Sequence, residues 1–152
     1  METLNMFAYS RAALLIALRN TKDNTWDERI DGFPNTIRWN VGHVYVTAEE
    51  YLNKADHHYD IIHPEWFDFF LDGTSPFKWE QEPPTIEEIL EALTKQKGRI
   101  IEFFNGKLDI AASETVDIRY LKLDTADAAL QFVTWHDGIH LGIIKSMQYV
   151  MN

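Results

Sequence analysis

Apolar positions along this chain recur mostly three and four residues apart, the spacing of a single helix face. From about Leu4 to Leu18 the residues Leu4, Phe7, Ala8, Leu14, Leu15 and Leu18 keep that spacing and predict a first helix. "GFPN" then breaks the pattern with Gly and Pro together. A second helix is expected from near Thr36 to about Ala55, with Ile37, Val41, Val44, Ala48, Tyr51 and Ala55 on one face. "PPTIEE" opens a third: Thr85 is placed as N-cap, and Glu88 three residues later completes a capping box. Its stripe is Ile86, Ile89, Leu90, Leu93, Ile100, Ile101 and Phe104, and Gly106 is a C-cap candidate. "SETVDIRYLKL" alternates instead, which predicts a short extended or hairpin segment. Thr125 is expected to cap a fourth helix running to about Val150.

Residues 57–84 do not fit this scheme. The stretch "HHYDIIHPEWFDFFLDGTSPFKWEQEPP" is too long for an ordinary connection between neighbouring helices. "PEWFDFFL" can form a short helix with Pro64 in its first turn. Trp66, Phe67, Phe70, Phe77 and Trp79 predict that the stretch packs down on the helices. It is either a lid over a site or only a crossover whose aromatics cap the core away from that site. A crossover needs apolar anchors in any case, which favours the second reading.

Composition narrows the possibilities. A chain of 152 residues fits one domain, 1–152, with a core large enough to need no staple. The absence of cysteine removes disulfides, thiolate metal sites and a cysteine nucleophile, and fits a reducing, cytoplasmic setting. The N-terminal stretch has no basic n-region, and Ser10, Arg11 and Arg19 interrupt it, so neither a signal peptide nor a membrane span is expected. A formal net charge of -10 repels phosphate backbones and argues against a nucleic-acid partner. Aromatics at 13 %, with five Trp, suffice to line a pocket or simply to fill a core.

The candidate chemistry lies in "TWHDGIHLGII". On the fourth helix Ala129, Val133, His136, His140, Ile143 and Met147 fall on one stripe, with His136 and His140 at its centre. Four residues apart, their Cβ atoms stand roughly 5–6 Å from each other. Two imidazole nitrogens at that spacing can converge on one ion at about 2.0–2.1 Å. His43 on the second helix is the best third donor, although it falls roughly 120° round from the apolar stripe, on the side of Thr47 and Glu50. Three His with one open position describe a catalytic rather than a structural site. The alternative is a pair of core histidines, each with its own hydrogen-bond partner. His57, His58 and His63 are read as a solvated surface cluster. "HDGIH" is not the HExxH of zinc proteases, since Asp137 stands where the glutamate would be and points about 100° away from His136. No GxSxG, P-loop or GxGxxG occurs. Glu49 and Glu50 are read as a solvated face, one of them a partner to the site, because the ExxH pairs of a di-iron bundle are missing.

"WNVGHVYVTAEEYL" and "WHDGIHLGIIKSM" resemble the two motifs of the DinB-like superfamily, which includes YfiT-type proteins. The similarity is strong in these segments and agrees in order and spacing along nearly the whole chain. It implies an all-α four-helix bundle, up-down-down-up, with 57–84 as the long crossover between helices two and three. It implies His43, His136 and His140 as ligands of one divalent ion, Zn or Ni before Fe or Mn. It further implies a small-molecule substrate and a homodimer. Relatives include transferases that use a low-molecular-weight thiol such as bacillithiol, so the resemblance points to a thiol-dependent transferase. The alternatives are a metal-dependent hydrolase and a non-catalytic metal- or ligand-binding bundle. Each ligating ring should donate its second N–H to an oxygen, with Thr47, Glu50 and Asp137 as candidates. Trp39 and Trp135, each beside a motif, are expected to flank the pocket.

Overall fold

The computed structural model describes residues 1–152. The chain is mostly helical, with five helices and one two-stranded sheet. The helices are α1 (Glu2–Leu18), α2 (Ile37–Ala55), the single-turn α3 (Phe67–Phe70), α4 (Ile86–Phe104) and α5 (Ala126–Met151). β1 (Ala111–Ile118) and β2 (Leu121–Thr125) pair antiparallel between α4 and α5. The hairpin and the single-turn α3 lie where "SETVDIRYLKL" and "PEWFDFFL" predicted an extended segment and a short helix, and the small sheet corrects the all-α class that the resemblance implied.

Local chemistry explains the helix starts. The Thr36 side chain accepts from the Trp39 amide at 3.1 Å and caps α2. At α4 the Glu88 amide donates to Thr85 Oγ1 at 3.2 Å and the Thr85 amide to Glu88 Oε2 at 2.7 Å, which is the anticipated capping box. The Thr125 hydroxyl oxygen accepts from the Ala128 amide at the start of α5. Past α4, Gly106 takes φ 76°, a left-handed value that glycine reaches without steric cost.

α1 and α2 each pack on both α4 and α5. Contacts between the helices give their directions. Ser10 meets Thr134 and Ala17 meets Gln148, so α1 and α5 run the same way. Asn40 meets His140 and Tyr51 meets Phe132, so α2 runs opposite to α5. Tyr45 meets Gln96 and Glu49 meets Arg99, so α2 and α4 run together.

The interior is two apolar clusters with a polar layer between them. One gathers Leu14, Leu18, Ile37, Val41, Leu93 and Met147; the other gathers Leu4, Phe7, Leu52, Ile100, Phe104 and Val133. Between them lie Arg11, Glu49, Gln96 and Asp137, all fully buried. Arg11 Nε donates to Asp137 Oδ2 at 2.8 Å and its Nη1 to Gln96 Oε1 at 2.7 Å. Gln96 Nε2 passes the chain on to Glu49 Oε1 at 2.8 Å. Glu49 also accepts from the Tyr59 hydroxyl, the Ile62 amide and Arg99. Glu49 is therefore not on a solvated face, as its sequence position suggested. It ties the start of the crossover to α2 and α4. No helix is long and apolar enough to cross a membrane.

Candidate metal centre

α5 carries the centre of the site. Its buried face runs through Ala126, Leu130, Val133, Asp137, His140, Ile144 and Met147, so Asp137, not His136, lies at its middle. The reason is that α5 faces two neighbours. Asp137 turns to Arg11 on α1, while His136 and His140 turn to α2. His140 is buried and His136 half-buried.

On α2, His43 is buried despite its off-centre place on the apolar stripe. The crossover covers that flank. Its Phe70 ring lies against Gly42, where an added Cβ would come within 2.4 Å of the ring. The Phe70 carbonyl then reaches His43 Nδ1 at 2.7 Å. Trp39, one turn earlier, stacks on the His43 ring with centroids 4.5 Å apart and planes 12° from parallel. Its Nε1 donates to Thr74 Oγ1 at 2.8 Å, a second tether between α2 and the crossover.

These contacts fix which nitrogens are free. A carbonyl only accepts, so His43 Nδ1 carries the proton and Nε2 keeps its lone pair. Asn40 Nδ2 donates to the Thr36 carbonyl at 2.8 Å, which turns Asn40 Oδ1 to His140 Nδ1, also at 2.8 Å. His140 therefore donates from Nδ1 and offers Nε2 as well. His136 Nε2 stands 3.1 Å from His43 Nε2. One nitrogen from each of the three rings lies within 4.8 Å of the others.

Burial also keeps the rings neutral. It pushes His136 down to about 2, helped by its histidine neighbours, and His140 down to about 4. His43 is lowered chiefly by burial, against a smaller opposing effect of the Phe70 carbonyl. Neutral imidazole is the form that binds metal. Two lone pairs 3.1 Å apart repel unless a proton or a cation lies between them. That distance is close to the separation of two ligands about 2.0–2.1 Å from one ion. The donor set fits a divalent cation, and the buried cluster could hold one.

The other candidate residues fall elsewhere. Thr47 is buried but makes no hydrogen bond to a ring, and Glu50 lies 3.4 Å from Lys54, one turn further along α2. Asp137 is committed to Arg11; burial pushes its carboxyl above the usual range and the guanidinium offsets part of that. The N–H acceptors are instead the Phe70 carbonyl and Asn40. Trp135 is 59 % exposed and leans on Phe132, because one residue before His136 points it away from α2. His58 and His63 pair with Asp56 and Glu65, and His57 lies near Glu114, all away from the cluster. Asn40 went unremarked, although a polar residue three places before His43 in an apolar run was a usable signal. Asp72, also missed, places Oδ1 3.6 Å from His43 Nε2. The crossover is thus part of the site through Phe70, Asp72 and Thr74, while Trp66 stacks on His63 beyond it. The expectation that its aromatics stay clear of the site is corrected for Phe70.

A mostly helical chain whose two antiparallel helices bring three histidines together beneath a long crossover defines a class of small helical proteins with a potential metal centre. Residues 6–144 match the family model of the DinB superfamily, and the chain belongs to that superfamily. A comparison with curated proteins returned no match.

Proposed function

We propose that this chain is a metal-dependent enzyme that holds one divalent ion on His43, His136 and His140. In this reading it transfers a low-molecular-weight thiol of the bacillithiol type to a small electrophile. The observation that carries it is the convergence of three neutral rings, two of them with Nδ1 spent on oxygen acceptors so that Nε2 faces inward. When bound, such an ion favours the thiolate of a coordinating thiol. The chain has no cysteine, so the sulfur must come from outside. Three imidazoles suit Zn or Ni first, with Fe or Mn also compatible.

The protein's own residues hold and shield. Asn40 and the Phe70 carbonyl orient two rings, and Trp39 closes one face of His43. His136 is the least buried of the three and marks the open side. The paired directions of the long helices support an up-down-down-up four-helix bundle. The net charge of -10 supports a small molecule rather than nucleic acid as partner, and the absence of cysteine fits a reducing, cytoplasmic setting. A homodimer is supported by α1, whose outward Met6, Tyr9 and Ile16 are as apolar as its inner face.

The test is elemental analysis of the purified protein and of single His→Ala variants, followed by a screen of thiols against electrophiles. Each of H43A, H136A and H140A should lose metal, and the same changes at His57, His58 and His63 should not. Full occupancy in H136A refutes the ligand set. Turnover of a small ester or amide without added thiol would replace the transferase by a hydrolase.

A further inference from the structure

The geometry points to Asp72 as a fourth protein donor to the ion that His43, His136 and His140 would hold. The inference rests on the metal reading above and adds to it a carboxylate on the open side of the site. Asp72 Oδ1 lies 3.6 Å from His43 Nε2, which is the nitrogen left free once Nδ1 is spent on Phe70. Two donors each about 2.0–2.2 Å from one ion, at angles of about 90–120°, stand roughly 2.8–3.8 Å apart. The observed separation from His43 falls within that range; Asp72 is not among the donors that already lie within 4.8 Å of one another, so its carboxylate would reach the ion by turning inward about its side-chain bonds.

The backbone around Asp72 is held on both sides. Two residues before it, the Phe70 carbonyl accepts from His43. Two residues after it, Thr74 Oγ1 accepts from Trp39 Nε1 and donates back into the turn towards the Phe69 and Leu71 carbonyls. Gly73 takes φ 88°, a left-handed value that turns the chain back at this point. The turn is therefore fixed over α2. The side chain is not: it is 96 % exposed, makes no hydrogen bond and has His43 as its sole ionic neighbour. A carboxylate with a fixed root and a free head can rotate onto the ion and off it again. Three neutral imidazoles leave the ion's full charge uncompensated, and Asp72 is the carboxylate in contact with a donor nitrogen. A hard oxygen donor also changes the preference of the site, since carboxylates suit Mn while imidazoles suit Zn and Ni.

The test uses the full chain as wild type, D72N and D72A. Affinities for Zn(II) and Mn(II) are measured by chelator competition, the Co(II)-loaded proteins are compared by visible absorption, and melting is followed without metal. Loss of the donor should weaken binding about tenfold or more, the size of effect seen when metal-site partners are removed. Mn(II) should suffer more than Zn(II), and the Co(II) bands should shift. Metal-free melting should match wild type, because the side chain packs on nothing. Unchanged affinity and bands overturn the inference. So does weaker binding with unchanged bands, which is a charge effect acting through space, and so does a loss that follows lower metal-free melting. A wild-type protein that binds none of these ions defeats the metal reading itself, and with it this one.

Discussion

Replacing Gly42 by Ala sets two effects of known sign against each other. Within a helix the change should stabilise by about 0.8–1 kcal/mol, because glycine is the poorest helix former after proline. At Gly42 the new Cβ would stand 2.4–2.5 Å from three atoms of the Phe70 ring. Carbon contacts sit near 3.5–4.0 Å, so the ring must give by about 1 Å. Phe70 is fully buried and packed against Phe69, Trp66 and Trp79, which leaves it no free direction. Overpacking of this kind costs about 1–3 kcal/mol. The two effects leave G42A less stable by up to about 2 kcal/mol, a fall in melting temperature of up to about 8 °C for a chain of this size. Moving Phe70 also moves the carbonyl that orients His43, so metal affinity should drop about 10–100-fold. G98A supplies the control. Gly98 is exposed on α4 with nothing within 4 Å of its added Cβ, and should gain about 0.8–1 kcal/mol. Urea melts of both variants without metal, together with chelator competition, decide the matter. If G42A gained stability as G98A should, Phe70 would not be held against α2 and the account of how the crossover positions His43 would fail.

Two further predictions concern the buried histidines and the polar layer. Because the folded rings stay neutral, with His140 at about 4 and His136 at about 2, the unfolded chain takes up protons below about pH 6.5 that the folded chain refuses. Metal-free stability should therefore fall as pH drops from 6.5 towards 4, and H140N should flatten that slope; equal urea midpoints for wild type at pH 7 and pH 5 would contradict the burial of the trio. R11M strands the buried Asp137 carboxylate and should cost about 3–5 kcal/mol, whereas R11M/D137L should recover most of it. A double variant as unstable as R11M would mean that the pair is not what joins α1 to α5.

Much of the fold was legible because the signals were local. Thr36, Thr85 with Glu88, and Thr125 each cap the helix that follows, and a cap involves only three or four neighbouring residues. The hairpin showed as alternation, and α3 as a Pro-led aromatic run. The three histidines were legible because the pair on α5 is i,i+4 and both motifs resemble those of a known superfamily. The partners of the rings were not legible. Phe70 reaches His43 through a backbone carbonyl, which carries no side-chain signature, and from a position 27 residues away in the chain. Asn40 reaches His140 across two antiparallel helices.

The polar layer shows a more general reason for the misses. Arg11, Glu49, Gln96 and Asp137 each occupy an inward position on a helix, and taken singly each reads as an interruption or a solvated face. A helical wheel assigns one inward direction to each helix, but α5 packs on both α1 and α2, so it has two. His136 and Asp137 point about 100° apart and both face inward, one towards His43 and the other towards Arg11. Burial of a charge requires a partner, and the partner lies on another helix. Four inward polar residues spread over four helices are therefore informative as a set: chains that must bury them have to pair them. Here the pairing runs from Asp137 through Arg11 and Gln96 to Glu49, and from Glu49 into the crossover at Tyr59 and Ile62. The same crossover returns to α2 at Phe70. The network that pairs the buried charges, though it leaves Arg11 Nη2 and Asp137 Oδ1 without a partner, thus also anchors the segment that orients His43, and the neighbour of His136 on α5 is its far end.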